Sequence, residues 1–447
     1  MSEAVVARGA QGSDVLDGAS DALELLRRRG FVQDVTDEDA LRAAFRAGRV
    51  TYYVGFDPTA PSLHAGNLVG MMAMAWLQRA GHRPIAIAGG GTGRIGDPSG
   101  RDTERTMLDE DALAANLAGI RRQLGAFLDL DETAGGERGF LIDNHGWLKE
   151  LDLLGFLRDV GVHVPLTAML GRESVKRRLE GREQGITFTE FVYQLLQAYD
   201  FAHLYREHGC VLQGGGSDQW GNITAGIELT RRLHGGQVFG LVWPLLTTAD
   251  GAKFGKSAGN AVWLDATMTS PYAYYQYWFN AADADVDRFL RLFTFLPLAD
   301  IAAIVADHER DPAARHGQRS LAREATRILH GDAGVEAAER ATDVLFGDEP
   351  YGTLGDEVLA DAFGEAPSVE LPRARLEEGV GLLELMTLVG ASASNGEARR
   401  LVQQSAVRIN NAVVDDAARI VTAADLAGET TVVLRAGRKR HFLARFV

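Results

Sequence analysis

The 447-residue chain holds a single cysteine, Cys210. That excludes an intrachain disulfide and a multi-cysteine zinc site, and it points to a reducing compartment. No long apolar run suggests a membrane span. The N-terminus carries early acidic residues and no apolar core segment, so no secretory signal is expected. The expected location is the cytoplasm. The HExxH pattern is missing around His203 and His208, and Ser217 lacks a nucleophile elbow. Metal-dependent hydrolysis and acyl-enzyme chemistry are therefore unsupported. No repeat, low-complexity tract or sustained heptad is present.

Net positive charge is also lacking, since the formal charge is −15. A nucleic-acid binder would ordinarily be basic. The distribution changes the picture: residues 391–447 hold nine Lys/Arg against five Asp/Glu. A basic tail on an acidic body fits localised RNA contact, and it fits a merely solvated surface equally well.

What is present begins with Tyr52 to Phe56, a run of β-branched and aromatic residues that reads as a strand. Asp57 and Pro58 end it, Thr59 to Ser62 form a turn, and Leu63 opens a helical pattern. His64 and Asn67 fall on one helix face, with Ala65 and Gly66 keeping the first turn thin. A buried strand feeding a helix leaves backbone N–H groups beside a crevice. Arg83 to Ala88 is a second strand, apolar on both faces as in a covered parallel sheet. It runs into Gly89-Gly90-Gly91 and on to Asp97. A phosphate loop is one reading of these glycines, but the Walker lysine and spacing are missing. Close backbone approach to a ligand is the better one, and Asp97 is either a carboxylate at the sheet edge or a turn residue.

Leu108 to Leu128 reads as a long helix, Phe140 to Asn144 as a strand, and Leu148 to Val160 as a helix with surplus apolar residues. Ser174 to Arg182 reads as a charged helix. On the helix Thr189 to Leu204, residues Tyr193, Gln197 and Asp200 share a face, which either meets solvent or lines a site. Val211 to Gly214 is another strand, followed by Gly216 to Asn222 and a helix. Lys253-Phe254-Gly255-Lys256-Ser257 makes a flexible cationic loop. The fold class expected is α/β, a Rossmann-like doubly wound parallel sheet over 1–265. A helical domain over 266–350, a linker over 351–381 and a small α+β domain over 382–447 complete it.

These segments, in this order, resemble the bacterial tyrosyl-tRNA synthetase family of class I. His64-Ala65-Gly66-Asn67 stands where the HIGH-type signature belongs, with Asn67 in place of its last histidine. Lys253 to Ser257 stands where the KMSKS-type signature belongs, with both lysines kept. The resemblance implies that Tyr53 and Asp200 bond the tyrosine phenol, and that Asp97, Tyr193 and Gln197 hold its ammonium. Asp218 and Gln219 would meet the ribose and carboxylate regions, while Gly55, Asp57, Gly66 and Asn67 would border the nucleotide. Thr59 and His64 would bind the ATP phosphates. Lys253, Lys256, Arg101 and Arg105 would close over pyrophosphate.

ATP is then a substrate with Mg2+ on its phosphates, and no protein-held metal site is expected. The partners implied are L-tyrosine, ATP, tRNA(Tyr) and a second copy of the chain, without DNA or membrane. The surplus apolar face of Leu148 to Val160 would lie in the dimer interface. Residues 382–447 resemble an S4-type RNA-binding domain, with Arg435, Arg438, Lys439 and Arg440 toward phosphate. Known tyrosyl enzymes reject phenylalanine by about 10⁵ without editing, because the hydroxyl-reading groups would be left unpaired. A tryptophan-activating relative and a non-catalytic RNA-binding scaffold are the competing readings. The Tyr53–Asp200 pair argues against the first, and the retained lysines with Asp97 and Asp218 argue against the second.

Overall fold

The computed structural model describes residues 16–97, 110–131, 133, 135–170, 187–249, 251, 254–257, 260–346, 351–363, 366–437 and 440–447. Six strands build the first sheet: β1 (Asp34–Val35), β2 (Thr51–Phe56), β3 (Arg83–Ala88), β4 (Phe140–Asp143), β5 (Cys210–Gly216) and β6 (Phe239–Trp243). Their order is β1-β6-β5-β2-β3-β4. Strands β2 to β6 pair in parallel, as their apolar double-sided pattern requires. The sheet is mixed, however, because β1 adds an antiparallel edge, Asp34 opposite Val242. Two residues are too short a run to read as a strand in sequence.

The chain winds outward from β2 in both directions. Tyr53 on β2 faces Gln213 on β5 across the point where the strand order reverses. Open α/β sheets leave a crevice at that place, beyond the strands' carboxyl ends. Helices cover both faces. Leu68–Arg79 is buried almost throughout, and Tyr52 donates its hydroxyl to the Met74 carbonyl at 2.5 Å. Phe188–His208 packs beside Trp220–His234.

Several local expectations shift. The first helix starts at Ala22 and is capped by Asp21, whose side chain accepts from Glu24 N. The stretch after Leu63 is a 3-10 turn, Ala65–Asn67, before the α-helix proper. The long helix spans Glu110–Leu124. Leu148 to Val160 is broken, with helices at His145–Leu148 and Leu153–Asp159, because Asp152 caps the second through the Gly155 N–H at 2.8 Å. The expected charged helix at Ser174 to Arg182 lies outside the described residues.

Two compact units emerge, one of residues 1–265 and 278–329, the other of 266–277 and 330–447. The helical stretch expected as one domain is thus divided between them. The helix His316–Phe346 is interrupted at Gly331, whose φ is 70°. Within the second unit, strands Ala412–Val413, Val407–Ile409, Thr431–Ala436, Arg440–Phe446 and Ser368–Leu371 form a five-stranded sheet in that order. Asn410 and Asn411 take φ of 46° and 71°, the left-handed pair that a two-residue hairpin turn demands. Ser394 caps the helix Asn395–Gln403.

Residues 351–381 are not a bare linker. They hold the helix Asp356–Phe363, and Ser368–Leu371 pairs in parallel with Arg440–Phe446. Their Gly, Pro and acidic content suggested a linker. Leu359 and Leu371 are buried, so packing in the second unit overrides that composition.

Candidate active site

A cavity of about 360 Å³ opens beyond the carboxyl ends of β2 and β5. Tyr53, Gly55, Asp57, Thr59, His64, Gly66, Asn67, Asp97, Tyr193, Gln197, Asp200, Asp218 and Gln219 all line it. The Tyr193, Gln197 and Asp200 stripe therefore faces the site and not solvent. Tyr193 and Asp200 are buried, at 5% and 3% exposure.

At one end sit Tyr53 and Asp200. The Tyr53 ring is held edge-on by Phe201 at 5.3 Å, and its buried hydroxyl has no hydrogen-bond partner among the described residues. Such a donor is costly to leave unpaired, so the arrangement suits a polar group supplied by a ligand. Asp200 receives a bond from Asn144 Nδ2 at 2.9 Å and one from the Trp147 indole at 2.8 Å. Burial pushes its carboxyl up to about 7, against the pull of those two donors, with Asp143 and Asp57 adding to the rise. The Tyr53 phenol is raised well above its usual range by burial and by Asp200.

Asn144 is a junction. Its carbonyl oxygen accepts from Gly91 N at 2.8 Å and Thr92 N at 3.4 Å, and its amide also donates to Thr92 Oγ1 at 2.9 Å. Asp143 accepts from Gly90 N at 3.0 Å. The Gly90 and Gly91 amides are thus bonded at the end of β4, and the Gly89 amide to the Phe56 carbonyl at 2.9 Å, which rules against a phosphate loop there.

An amide network forms one wall. Gln219 donates to Asp97 at 2.7 Å, Gln197 donates to Gln219 at 3.2 Å, and Asn222 donates to Gln197 at 3.0 Å. Gln194 closes the set on Asn222 at 3.4 Å. Asp97 is so fixed at the sheet edge, with Gln219 screening one oxygen.

The opposite wall is the signature segment. His64 Nδ1 accepts from Gly66 N at 3.0 Å, which puts the neutral ring's proton on Nε2. Asn67 Oδ1 accepts from His64 N at 3.1 Å, completing a reciprocal cap. The departure at Asn67 thereby has a structural task. Gly66 is required by closeness: a Cβ there would lie 2.8 Å from the His64 ring. The second signature packs directly on the first. Gly255 has φ of 87°, and a Cβ on it would reach Gly66 N at 2.5 Å. Ala65 N donates to Val262 O at 2.8 Å, and Val262 N donates to Gly255 O at 3.0 Å. Phe254 stacks on Phe293 at 5.0 Å. Phe254 and Gly255, the two residues following Lys253 in this segment, thus each have a packing role.

Lys253, Arg101 and Arg105 lie outside the described residues, as do Arg438 and Lys439. For Lys256 the backbone is described, paired with Ala261. In the tail sheet Arg435 is half-buried opposite Arg408 and His441, while Arg440 is exposed. Among the described residues no group of three or more His, Cys, Asp or Glu could hold a metal ion. No helix among them is long and apolar enough to cross a membrane. Cys210 is fully buried, and burial raises its thiol well above the usual range.

Sequence reasoning passed over Asn144, Trp147 and Gln194, and over Gln213 and Trp263, which also line the cavity. Asn144 ends a parallel strand beside the switch point, a signal that was available. The others depend on tertiary proximity.

Residues 46–347 match the family described as class I tRNA synthetases (W and Y), and residues 359–444 match the tyrosine–tRNA ligase C-terminal domain. The chain is 48% identical over 426 residues to the tyrosine–tRNA ligase of Roseiflexus castenholzii, covering 95% of this chain and 99% of that one. It is 46% identical over 424 residues to that of Rhodopirellula baltica, covering 95% and 96%. A C-terminally truncated mitochondrial tyrosyl-tRNA synthetase of Aspergillus nidulans superposes with a TM-score of 0.66 at 34% identity, over 74% of this chain and 96% of that one.

Proposed function

The chain belongs to the class I tRNA synthetases of the tryptophan and tyrosine type, and from that footing we propose how its cleft performs the chemistry. Its activity is tyrosine–tRNA ligation. The observation that carries the tyrosine reading is the convergence of Tyr53 and Asp200 on one end of the cavity bordered by His64 and Asp218.

Tyr53 and Asp200 bond the substrate phenol, one as donor and one as acceptor. Asp97, Tyr193 and Gln197 hold the ammonium. That leaves the carboxylate directed toward the nucleotide, near Gln219 and Asp218. The carboxylate attacks the α-phosphorus and expels pyrophosphate. It is already an anion, so no general base is needed. Negative charge grows on the phosphoryl oxygens, where His64 Nε2–H and the Thr59 hydroxyl donate. Lys253, Lys256, Arg101 and Arg105 hold the leaving pyrophosphate. Gly55, Asp57, Gly66 and Asn67 border adenosine. The terminal adenosine of tRNA(Tyr) then takes the tyrosyl group.

Mg2+ would neutralise charge on the ATP phosphates. The described protein residues offer no cage for it, so its fit rests on the phosphates themselves. A homodimer is supported by Leu153, Leu154, Val162 and Phe188, each at least 70% exposed on neighbouring elements. The second unit grips tRNA through Arg435, Arg438, Lys439 and Arg440, and a cytoplasmic location accompanies this work. Pyrophosphate exchange into ATP tests the whole reading. Tyrosine alone among the amino acids should drive it, and exchange driven by tryptophan instead would defeat it.

A further inference from the structure

The segment leading to the lysine signature Lys253 to Ser257 has little core of its own. Leu245, Thr247 and Ala249 are exposed. Besides bonds within it, such as Phe254 N to Leu246 O at 3.3 Å, the segment is tethered to one buried carboxylate and its arginine partner: Asp285, 3% exposed at the start of the helix Val286–Phe293, and Arg288. Asp285 Oδ2 accepts from Ala249 N at 2.8 Å. Asp285 Oδ1 pairs with Arg288 at 2.5 Å, and the same guanidinium nitrogen of Arg288 donates to Thr247 O at 2.7 Å. Phe254 is held on the same helix, its ring 5.3 Å from Phe289 and 5.0 Å from Phe293. One helix thus secures both flanks of the segment, by a charge-assisted pair at Thr247 and Ala249 and by aromatic packing at Phe254.

Beyond Phe254 the geometry runs straight to the reacting end. Gly255 lies against Gly66, and Lys256 follows it. A shift of the flank at Thr247–Ala249 would change where the lysine-bearing segment begins. Misplacement of about 1 Å in a charge-stabilising group costs on the order of 10²-fold in rate. Substrate tyrosine, by contrast, would lie against Tyr53, Asp97 and Asp200 in the proposed mode of binding, whereas the Asp285 carboxylate bonds to Ala249 and Arg288.

We propose that Asp285, acting through Arg288 and the Ala249 N–H, is a positioning residue for the lysine signature in tyrosine activation. It touches no substrate. It converts the rigid helix Val286–Phe293 into a register stop for an exposed segment. The proposal rests on the assignment of Lys253 and Lys256 to the pyrophosphate end.

Single-turnover tyrosyl-adenylate formation by Asp285→Ala and Arg288→Gln, with the full chain and saturating tyrosine, tests it. Each should slow adenylate formation by about tenfold or more, while tyrosine affinity stays within about twofold. Asp285→Asn keeps an acceptor for Ala249 and should fall between wild type and Asp285→Ala. The double variant should lose no more than the worse single one, because both act through one latch. Unchanged rates, or tyrosine affinity falling in step with rate, would overturn the proposal. If Asp285→Ala does not fold, Arg288→Gln carries the test. Wild-type enzyme lacking tyrosine-dependent adenylate formation would instead defeat the functional reading beneath it.

Discussion

Asn144 donates to the Asp200 carboxylate at 2.9 Å while accepting from Gly91 and Thr92 on the neighbouring loop. One buried amide thereby joins the Tyr53–Asp200 end of the cavity to the loop that leads to Asp97. The end proposed to select the side chain and the end proposed to hold the ammonium thus share a support.

Asn144→Ala should therefore weaken tyrosine binding more than it slows chemistry. Loss of a hydrogen bond to a charged group costs about 1.5–3 kcal/mol, roughly a 10- to 100-fold rise in KM for tyrosine. Steady-state exchange kinetics would check this. A change in kcat alone would contradict it.

Asp200 sets a pH dependence. Its carboxyl is pushed up to about 7, so the acceptor form is lost as pH falls through that value. Tyrosine kcat/KM should rise with pH to about 7 and then level. In Asp200→Asn that acid limb should vanish along with most of the activity. In Asn144→Ala it should move to higher pH, since one donor that favours the carboxylate has gone. The same shift works against folding: the unfolded chain releases this proton near 3.8, so Asp200 costs stability as pH rises from there through about 7. Asp200→Asn should recover part of that cost above neutrality, read as a higher Tm.

Gly255→Ala should damage activation without unfolding the chain. Its φ of 87° disfavours a side chain, and the added Cβ would press on Gly66 beside His64. Left-handed backbone costs a non-glycine residue about 1–2 kcal/mol before any clash. A fall in adenylate formation with Tm lowered by only a few degrees is the expected pair of results.

Leu153→Asp with Leu154→Asp should leave a monomer in sedimentation analysis, since both side chains stand more than two-thirds exposed. Persistence of a dimer would move the interface elsewhere.

Much of this was legible in the chain, for physical reasons. Tyr52 to Phe56 and Arg83 to Ala88 read as strands because buried parallel strands are apolar on both faces. Tyr193, Gln197 and Asp200 fall at helical spacing, and the structure decides which side they face. What sequence could not show was support from afar: Asn144 lies 56 positions from Asp200, and Asp285 lies 36 from Ala249. Residues 351–381 misled for the opposite reason. Their composition describes a linker, while the sheet they join is assembled by residues much later in the chain.

The most direct test is a crystal structure with a non-hydrolysable tyrosyl-adenylate analogue. The phenolic oxygen should lie within hydrogen-bond distance of both Tyr53 Oη and an Asp200 carboxylate oxygen, with the phosphoryl group at His64. An analogue seated with its ring away from Tyr53 and Asp200 would contradict the account.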